Sequence, residues 1–284
     1  MPEKKNKEKK TEKKVEVVED TSYGKTILAC VLILIVLVVG YLSYKKIYDG
    51  ELAKNKQKEI EVKFTDDEKK FKTEYESLNG TSLSDGEKLK KVVIVDDNNV
   101  VYVNLVKAVE MMSKESGVFF FGYATDNMTR IVTPLLLNAM QSTSLDKIYY
   151  VSVRENESEE TDFRDVYSLD KKRVKLTKEG KVGYDELLTL LDEYLPKYTL
   201  VNSDGKIFNT GEKRLQVPTV VAILDGKVVA YVEGTVENHE IDSNGVLRDL
   251  TDKERDEITL KYTDLMTKYL NDDCDIEKKD DEDC

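Results

Sequence analysis

An aromatic run, Val118 to Tyr123, passes through a short turn into an amphipathic helix that carries an internal proline, Pro134. A strand feeding straight into a helix commits the chain to a layered α/β arrangement with crossover connections. The flanking segments agree. A short strand is predicted at Val92 to Val95, turning at Asp96 to Asn99, and a helix from about Asn104 places Leu105, Val109 and Met112 on one face. A further strand is predicted at Ile148 to Val153. Downstream, two alternating apolar runs, Thr219 to Leu224 and Lys227 to Glu233, flank Asp225-Gly226, which is a strong hairpin signal. The last helix opens on a capping box, Thr251 with Glu254, and Ile258, Tyr262, Leu265, Met266 and Tyr269 line one face.

Between these halves, residues 155–214 read as an insertion lying against the core. Tyr184, Leu187, Leu188, Leu191, Tyr194 and Leu195 form an amphipathic helix stopped by Pro196. Tyr198 to Val201 and Lys206 to Phe208 flank Asn202-Ser203-Asp204-Gly205, a hairpin signal. Residues 45–90 read as a stalk and linker. Ile60, Phe64, Phe71, Tyr75 and Leu78 recur at helical intervals there, before a loop marked by Asn79-Gly80 and Asp85-Gly86.

Gly117 to Leu137 (GVFFFGYATDNMTRIVTPLLL) resembles the active-site strand, turn and helix of a thioredoxin, with both cysteines missing. Asp126-Asn127-Met128-Thr129 stands where Cys-x-x-Cys would be. Leu215 to Gly234 resembles the cis-proline strand and following hairpin of the same fold, with Val217, Pro218 and Thr219 at the groove and Pro218 as the cis residue facing the Asp126 turn. Taken in order, the two motifs point to a thioredoxin-like fold over roughly Lys91 to Leu270, a central mixed sheet flanked by helices. They do not point to redox chemistry. The chain is most similar to membrane-anchored thioredoxin-like proteins of Gram-positive type bacteria, including bacteriocin transport accessory proteins. Those normally keep a Cys-Pro-x-Cys-type site followed by an arginine, and here only that arginine remains, as Arg130.

The substitution has chemical consequences. A cysteine at a helix N-terminus is activated because unpaired N–H groups and the macrodipole favour its thiolate, and a second thiol then resolves the mixed disulfide. Asp126 keeps an anion at that place and is a good N-cap residue, but neither it nor Thr129 takes part in exchange. Asp126 therefore reads as a helix cap, or as one wall of a groove that binds extended polypeptide beside Pro218. Acid–base catalysis lacks a partner, since the one histidine, His239, lies in a polar stretch. No catalytic residue, cofactor or metal site is expected. The polar turn Asp242-Ser243-Asn244-Gly245 is no calcium loop, because Thr251 occupies the position that requires a bidentate Glu.

Thr26 to Tyr44 is a run of nineteen uncharged residues, mostly Ile, Leu and Val. As a helix it would span roughly 28 Å, close to the hydrocarbon core of a bilayer. Tyr23, Tyr41, Tyr44 and Tyr48 flank it as interfacial anchors. The run is long, and no small-x-small cleavage site follows it, so it reads as a single-pass anchor. Cys30 stands at its start, where a lipoprotein box would put it at the end, and Gly24-Lys25-Thr26 lacks the first glycine of a phosphate-binding loop. Six lysines lie within twenty residues on either side, so positive charge does not orient the span. The resemblance does: the N-terminal tail (residues 1–25) is expected to be disordered in the cytoplasm and the domain to lie outside a bacterial plasma membrane.

Of 44 Lys and Arg, 8 precede the apolar run; of 56 Asp and Glu, 6 do. Residues 45–284 thus carry 36 basic and 50 acidic groups, a net of −14. That excludes nucleic acid as a partner, because such affinity rests on neutralising phosphates with Lys and Arg. The expected partners are the bilayer through Thr26–Tyr44 and a protein or peptide. Two other readings are a plain structural scaffold and a thiol–disulfide enzyme using Cys274 and Cys284. Those two cysteines lie in an acidic tail, residues 271–284, where neighbouring carboxylates disfavour a thiolate and a structural disulfide is the simpler expectation.

Overall fold

The computed structural model describes residues 45–46, 66–156, 158–170, 173–234 and 247–277, with side chains as far as residue 272. The chain divides into two units, Met1–Ile60 and Glu61–Cys284. Of the first, only Lys45 and Lys46 are described, both helical. Among the described residues no helix is long and apolar enough to cross a membrane, and Thr26–Tyr44 lies outside them.

The second unit is a mixed α/β structure. Its helix α1 covers residues 66–76. Then come β1 (Val100–Tyr102), α2 (Leu105–Met112), β2 (Gly117–Gly122), α3 (Asn127–Thr143) and β3 (Ile148–Ser152). The chain continues with β4 (Val166–Asp170), β5 (Arg173–Lys178), α4 (Tyr184–Leu190), β6 (Lys197–Val201) and β7 (Ile207–Lys213). It closes with β8 (Thr219–Leu224), β9 (Lys227–Glu233) and α5 (Asp252–Glu277).

One five-stranded sheet runs in the order β1-β3-β2-β8-β9. β1 and β2 both pair parallel with β3, while β8 runs antiparallel to β2 and β9 antiparallel to β8. β2 and β8 sit in the middle and are buried along their whole length. Successive side chains on a strand face opposite ways, so each strand feeds two cores. Val118, Phe120, Val220 and Ala222 pack with α1, α3 and α5; Phe119, Phe121, Val221 and Ile223 pack with α2 and α4. A strand covered on both faces reads as a continuous apolar run rather than an alternating one, and the sequence of β2 has that form.

The segment read as a stalk is, from residue 66 on, part of this unit. Phe71 and Tyr75 of α1 are completely buried. Phe71 packs on Tyr75 and Tyr150, with ring centroids 4.5 and 4.9 Å apart. α1 also closes the exposed edge of the sheet. The Tyr102 N–H donates to Asp67 and the Asn99 N–H to Glu68 (3.0 and 2.9 Å), groups that would otherwise offer an open edge to another strand. Helical spacing was the right signal; it could not say that the apolar stripe had a sheet to cover.

The first strand also differs from expectation. Residues 92–95 form no strand, although Val92 and Ile94 are buried and Val93 is exposed. Their backbone is held by side chains instead. Asn79 both donates to and accepts from Val92 (2.8 and 2.9 Å), and Glu76 accepts from the Ile94 N–H. The edge strand is Val100–Tyr102, a few residues on.

Within the insertion, β6 and β7 form the expected hairpin, whereas the β4–β5 hairpin carried no sequence signal, since its burial does not alternate. α4 ends at Leu190, earlier than its apolar spacing suggests. The hairpin β8–β9 and the capping box are as read: the Thr251 N–H donates to Glu254, and the Glu254 N–H donates back to Thr251 Oγ1 (2.7 and 3.3 Å). Arg248 grips the same carboxylate and holds Glu254 well below the usual carboxylate range. The last helix does not stop near Tyr269. It continues to Glu277, so Asn271 to Glu277 is helical rather than a loose acidic end.

If α1 belongs to the core, Phe71→Ala should destabilise the protein by about 3–5 kcal/mol, the range for emptying a buried aromatic site. Urea unfolding of the full chain measures this. A loss below about 0.5 kcal/mol is what an exposed stalk would give.

Candidate functional site

The site is built where β2 ends. The chain leaves Gly122, turns through Tyr123 to Thr125, and enters α3 with Asp126 as N-cap, in an extended conformation. One oxygen of Asp126 accepts from both the N–H and the Oγ1 of Thr129, each at 2.6 Å. That is the capping geometry expected of aspartate at a helix start. Burial pushes the Asp126 carboxyl above its usual range, and the two hydrogen bonds from Thr129 pull against that rise. Asp126 itself is half-buried, while Thr129 is completely so.

Asn127 and Arg130 spend their side-chain hydrogen bonds on the protein itself. Buried Asn127 accepts from the Lys90 N–H (2.6 Å) and donates to the Glu87 carboxylate and the Lys88 carbonyl (2.7 and 2.9 Å). Arg130 is fully buried, and its three nitrogens donate to the carbonyls of Lys90 and Ala124 and to the Asn79 side chain (2.6, 2.9 and 2.7 Å). Both residues clamp the loop from Asn79 to Lys90 over the start of α3. Met128 is half-buried beside the same turn.

The second strand of the site arrives from the other half of the chain. The Val217–Pro218 peptide is cis. Thr219 pairs with Phe121 in the β8–β2 ladder, so Pro218 lies one residue past that pair, at the end of β2 from which the Asp126 turn departs. Gln216 and Val217 are partly exposed and Pro218 is buried. The Pro218 carbonyl accepts from the Gly234 N–H at 2.8 Å. Gly234 has no alternative there: a Cβ would fall 2.2 Å from the Tyr262 hydroxyl and 3.0 Å from the Pro218 ring.

A cleft of about 350 Å³ opens over the turn, lined by Leu83, Glu87, Tyr123, Asp126, Met128 and Arg154 among others. A larger one, about 1180 Å³, lies at the N-terminus of α2, between Tyr102, Leu105, Phe163 and Val182. Sequence reasoning missed the wall that Arg154 contributes to the smaller cleft. Arg154 stacks over the Tyr123 ring (5.0 Å) and donates to Asp162, whose carboxylate is fully buried and also held by Arg164. Burial works against the Asp162 charge, yet the Arg164 guanidinium holds its carboxyl below the usual range. The alternation Asp162-Phe163-Arg164 was the available signal, and it is too common to have been singled out.

The chemistry open to this arrangement is narrow. Positions 126–129 hold no thiol, and the Asp126 oxygen that reaches the helix start is occupied by Thr129. His239, Cys30 and Cys284 lie outside the described residues, as does the turn at Asp242 to Gly245. Cys274 falls within the backbone of α5. Comparison with known protein families finds no matching family, and comparison with characterised proteins finds no match.

The raised Asp126 carboxyl fixes the sign of a pH effect. A group whose folded pKa exceeds its unfolded value favours folding while protonated, and that contribution is lost as pH rises through the folded pKa. The unfolded value is about 3.9. Asp126→Asn, which still caps the helix, should therefore gain stability relative to the parent as pH rises from about 4 into the neutral range. Urea unfolding of both proteins across that range measures the difference. A gap that stays constant, or closes with rising pH, contradicts the assignment of a desolvated carboxylate.

Proposed function

We propose that this protein is a membrane-tethered, redox-inactive thioredoxin-like module at the cell surface of a bacterium, which holds an exported polypeptide or a membrane partner. Three findings support the thioredoxin-like part of this reading. Three parallel strands are linked by helices on opposite faces of the sheet, an antiparallel hairpin completes the sheet in the order β1-β3-β2-β8-β9, and a last helix packs on it. The apolar run Thr26–Tyr44 supports the tether.

The observation that carries the binding role is the register of β8 on β2. It brings the partly exposed backbone of Gln216 and Val217 to the same end of the sheet as the turn capped by Asp126. An extended chain laid beside Gln216 and Val217 would have the Val217 main chain on one side and the cleft over Tyr123 and Met128 on the other. With a carboxylate and a hydroxyl at positions 126 and 129 the groove grips without exchanging electrons.

Two measurements test this. Reduction of insulin by dithiothreitol should run at background rate with the wild-type protein, and Asp126→Cys/Thr129→Cys should accelerate it, because the helix start that tunes such a thiol is intact. Wild-type turnover that survives Cys274→Ser/Cys284→Ser would refute the inactive site; turnover that vanishes in that variant would move the chemistry to the tail. A photo-crosslinker at Val217 should capture a polypeptide in its native membrane that one at Val93, exposed on the opposite half of the chain, does not. Equal capture at both places would remove the groove from the account.

A further inference from the structure

Beside the groove lies a cluster of cations with too few acids. Arg154, Arg164 and Lys178 all donate to Asp162, the two arginines to its carboxylate and the lysine to its carbonyl. Arg164 also donates to the Leu215 carbonyl at 3.1 Å, which joins the cluster to the segment leading into Pro218. Arg214 stands next in the chain. Its guanidinium lies over the Tyr198 ring at 4.3 Å, and its backbone N–H donates to the Pro196 carbonyl. Its Nε is buried and has no hydrogen-bond partner among the described residues. The other nearby acid, Asp165, is engaged by the Gly180 N–H at 2.6 Å.

Such an arrangement is costly without a further partner. A buried donor left unpaired loses its hydration with no return, and a guanidinium loses most. Burial and the neighbouring Arg164 both press on Arg214 to give up its charge, and the Asp162 carboxylate is already shared by Arg154 and Arg164. In a unit whose net charge is strongly negative, Arg154, Arg164, Lys178 and Arg214 gather around one buried carboxylate. Arg214 is not sealed in, being partly exposed. The unpaired Nε is itself buried, but the residue is partly exposed and has Arg164 beside it, and a planar guanidinium so placed suits a carboxylate.

We propose that Arg214, backed by Arg164, is an acid-recognising subsite of the groove, taking the Asp or Glu side chain of a polypeptide that lies beside Gln216 and Val217. This rests on the groove reading above and adds the substrate class: extended segments with an acidic residue at one fixed position. Arg214 supplies the contact, and Asp162 keeps Arg164 and Arg154 from collapsing onto the incoming carboxylate by fixing their guanidinium groups.

The test uses the full chain in mild detergent and random peptides displayed on phage. Selection should enrich sequences with Asp or Glu at one position. A synthetic copy of an enriched peptide should bind at least about tenfold more tightly than its Glu→Gln counterpart, the scale of one charge-assisted hydrogen bond. That ratio should fall close to one in Arg214→Gln and to an intermediate value in Arg214→Lys, with melting curves recorded for each. Where Arg214→Gln does not fold, Arg214→Lys decides, and an unchanged ratio there overturns the subsite. Enrichment with no acidic position, or a Glu-to-Gln penalty that persists in Arg214→Gln, overturns the subsite and leaves the groove. No enrichment of any sequence overturns both.

Discussion

One buried guanidinium holds the site together. Arg130 is fully inaccessible, and its three nitrogens reach the Lys90 carbonyl, the Ala124 carbonyl and the Asn79 side chain. These acceptors are neutral, and the Tyr75 ring lies 5.9 Å from the guanidinium carbon. Burial accordingly lowers the pKa of Arg130 from its ordinary value. A desolvated cation is tolerated in a protein when hydrogen bonds replace its lost water, and here the replacements come from three separate stretches of chain. Asn79 spends its remaining capacity on both backbone groups of Val92. One side chain on α3 therefore fixes the end of α1, the loop that follows and the turn that presents Asp126. Truncating it would take the donor from the Lys90 and Ala124 carbonyls at once, which is why the effect would be felt well beyond the arginine itself.

The parts of this fold that could be read from sequence are those whose signal is local. β8, its Asp225-Gly226 turn and β9 carry apolar runs and turn chemistry in adjacent residues, and each lies where it was expected. The capping box at Thr251 and the Asp126 cap are likewise short-range patterns. What could not be read depends on partners far along the chain. α1 has an amphipathic pattern whether it stands in solvent or covers a sheet, and only β1 and β3, much farther along the chain, decide between the two. Val92 to Val95 has the composition of a strand but finds side-chain rather than strand partners, so composition misled. The β4–β5 hairpin lies outside the main sheet, and with most of its residues at least partly exposed it left no hydrophobic period to find.

The candidate site divides the same way. The Asp126 turn and the Val217–Pro218 step could be placed because each is a contiguous motif, and the sheet register brings them to one end. Asn127 and Arg130 were noted as remnants of a motif, yet their roles are architectural, set by backbone carbonyls in the loop from Asn79 to Lys90. Backbone acceptors leave no trace in the residue types of the segment that supplies them. Arg154, Asp162, Arg164 and Arg214 come from two loops fifty residues apart, and nothing in either loop alone shows that they meet.

The two arginine arrangements on either side of the turn explain what this end of the sheet can do. Arg130 spends its donors on the protein's own carbonyls, which makes it structural and closes that side. On the other side Asp162 answers part of the charge of Arg154, Arg164 and Lys178, and Arg214 keeps a donor unspent. Asp126 lies between them, its capping oxygen turned to Thr129. A thiolate at the same helix start would be held as a nucleophile by the same N–H groups, whereas a carboxylate there satisfies them and ends the chemistry. The turn is thereby held as a capped helix start. On the proposed reading, recognition at this end of the sheet falls to the chain beside Gln216 and Val217 and to the positive charge next to it.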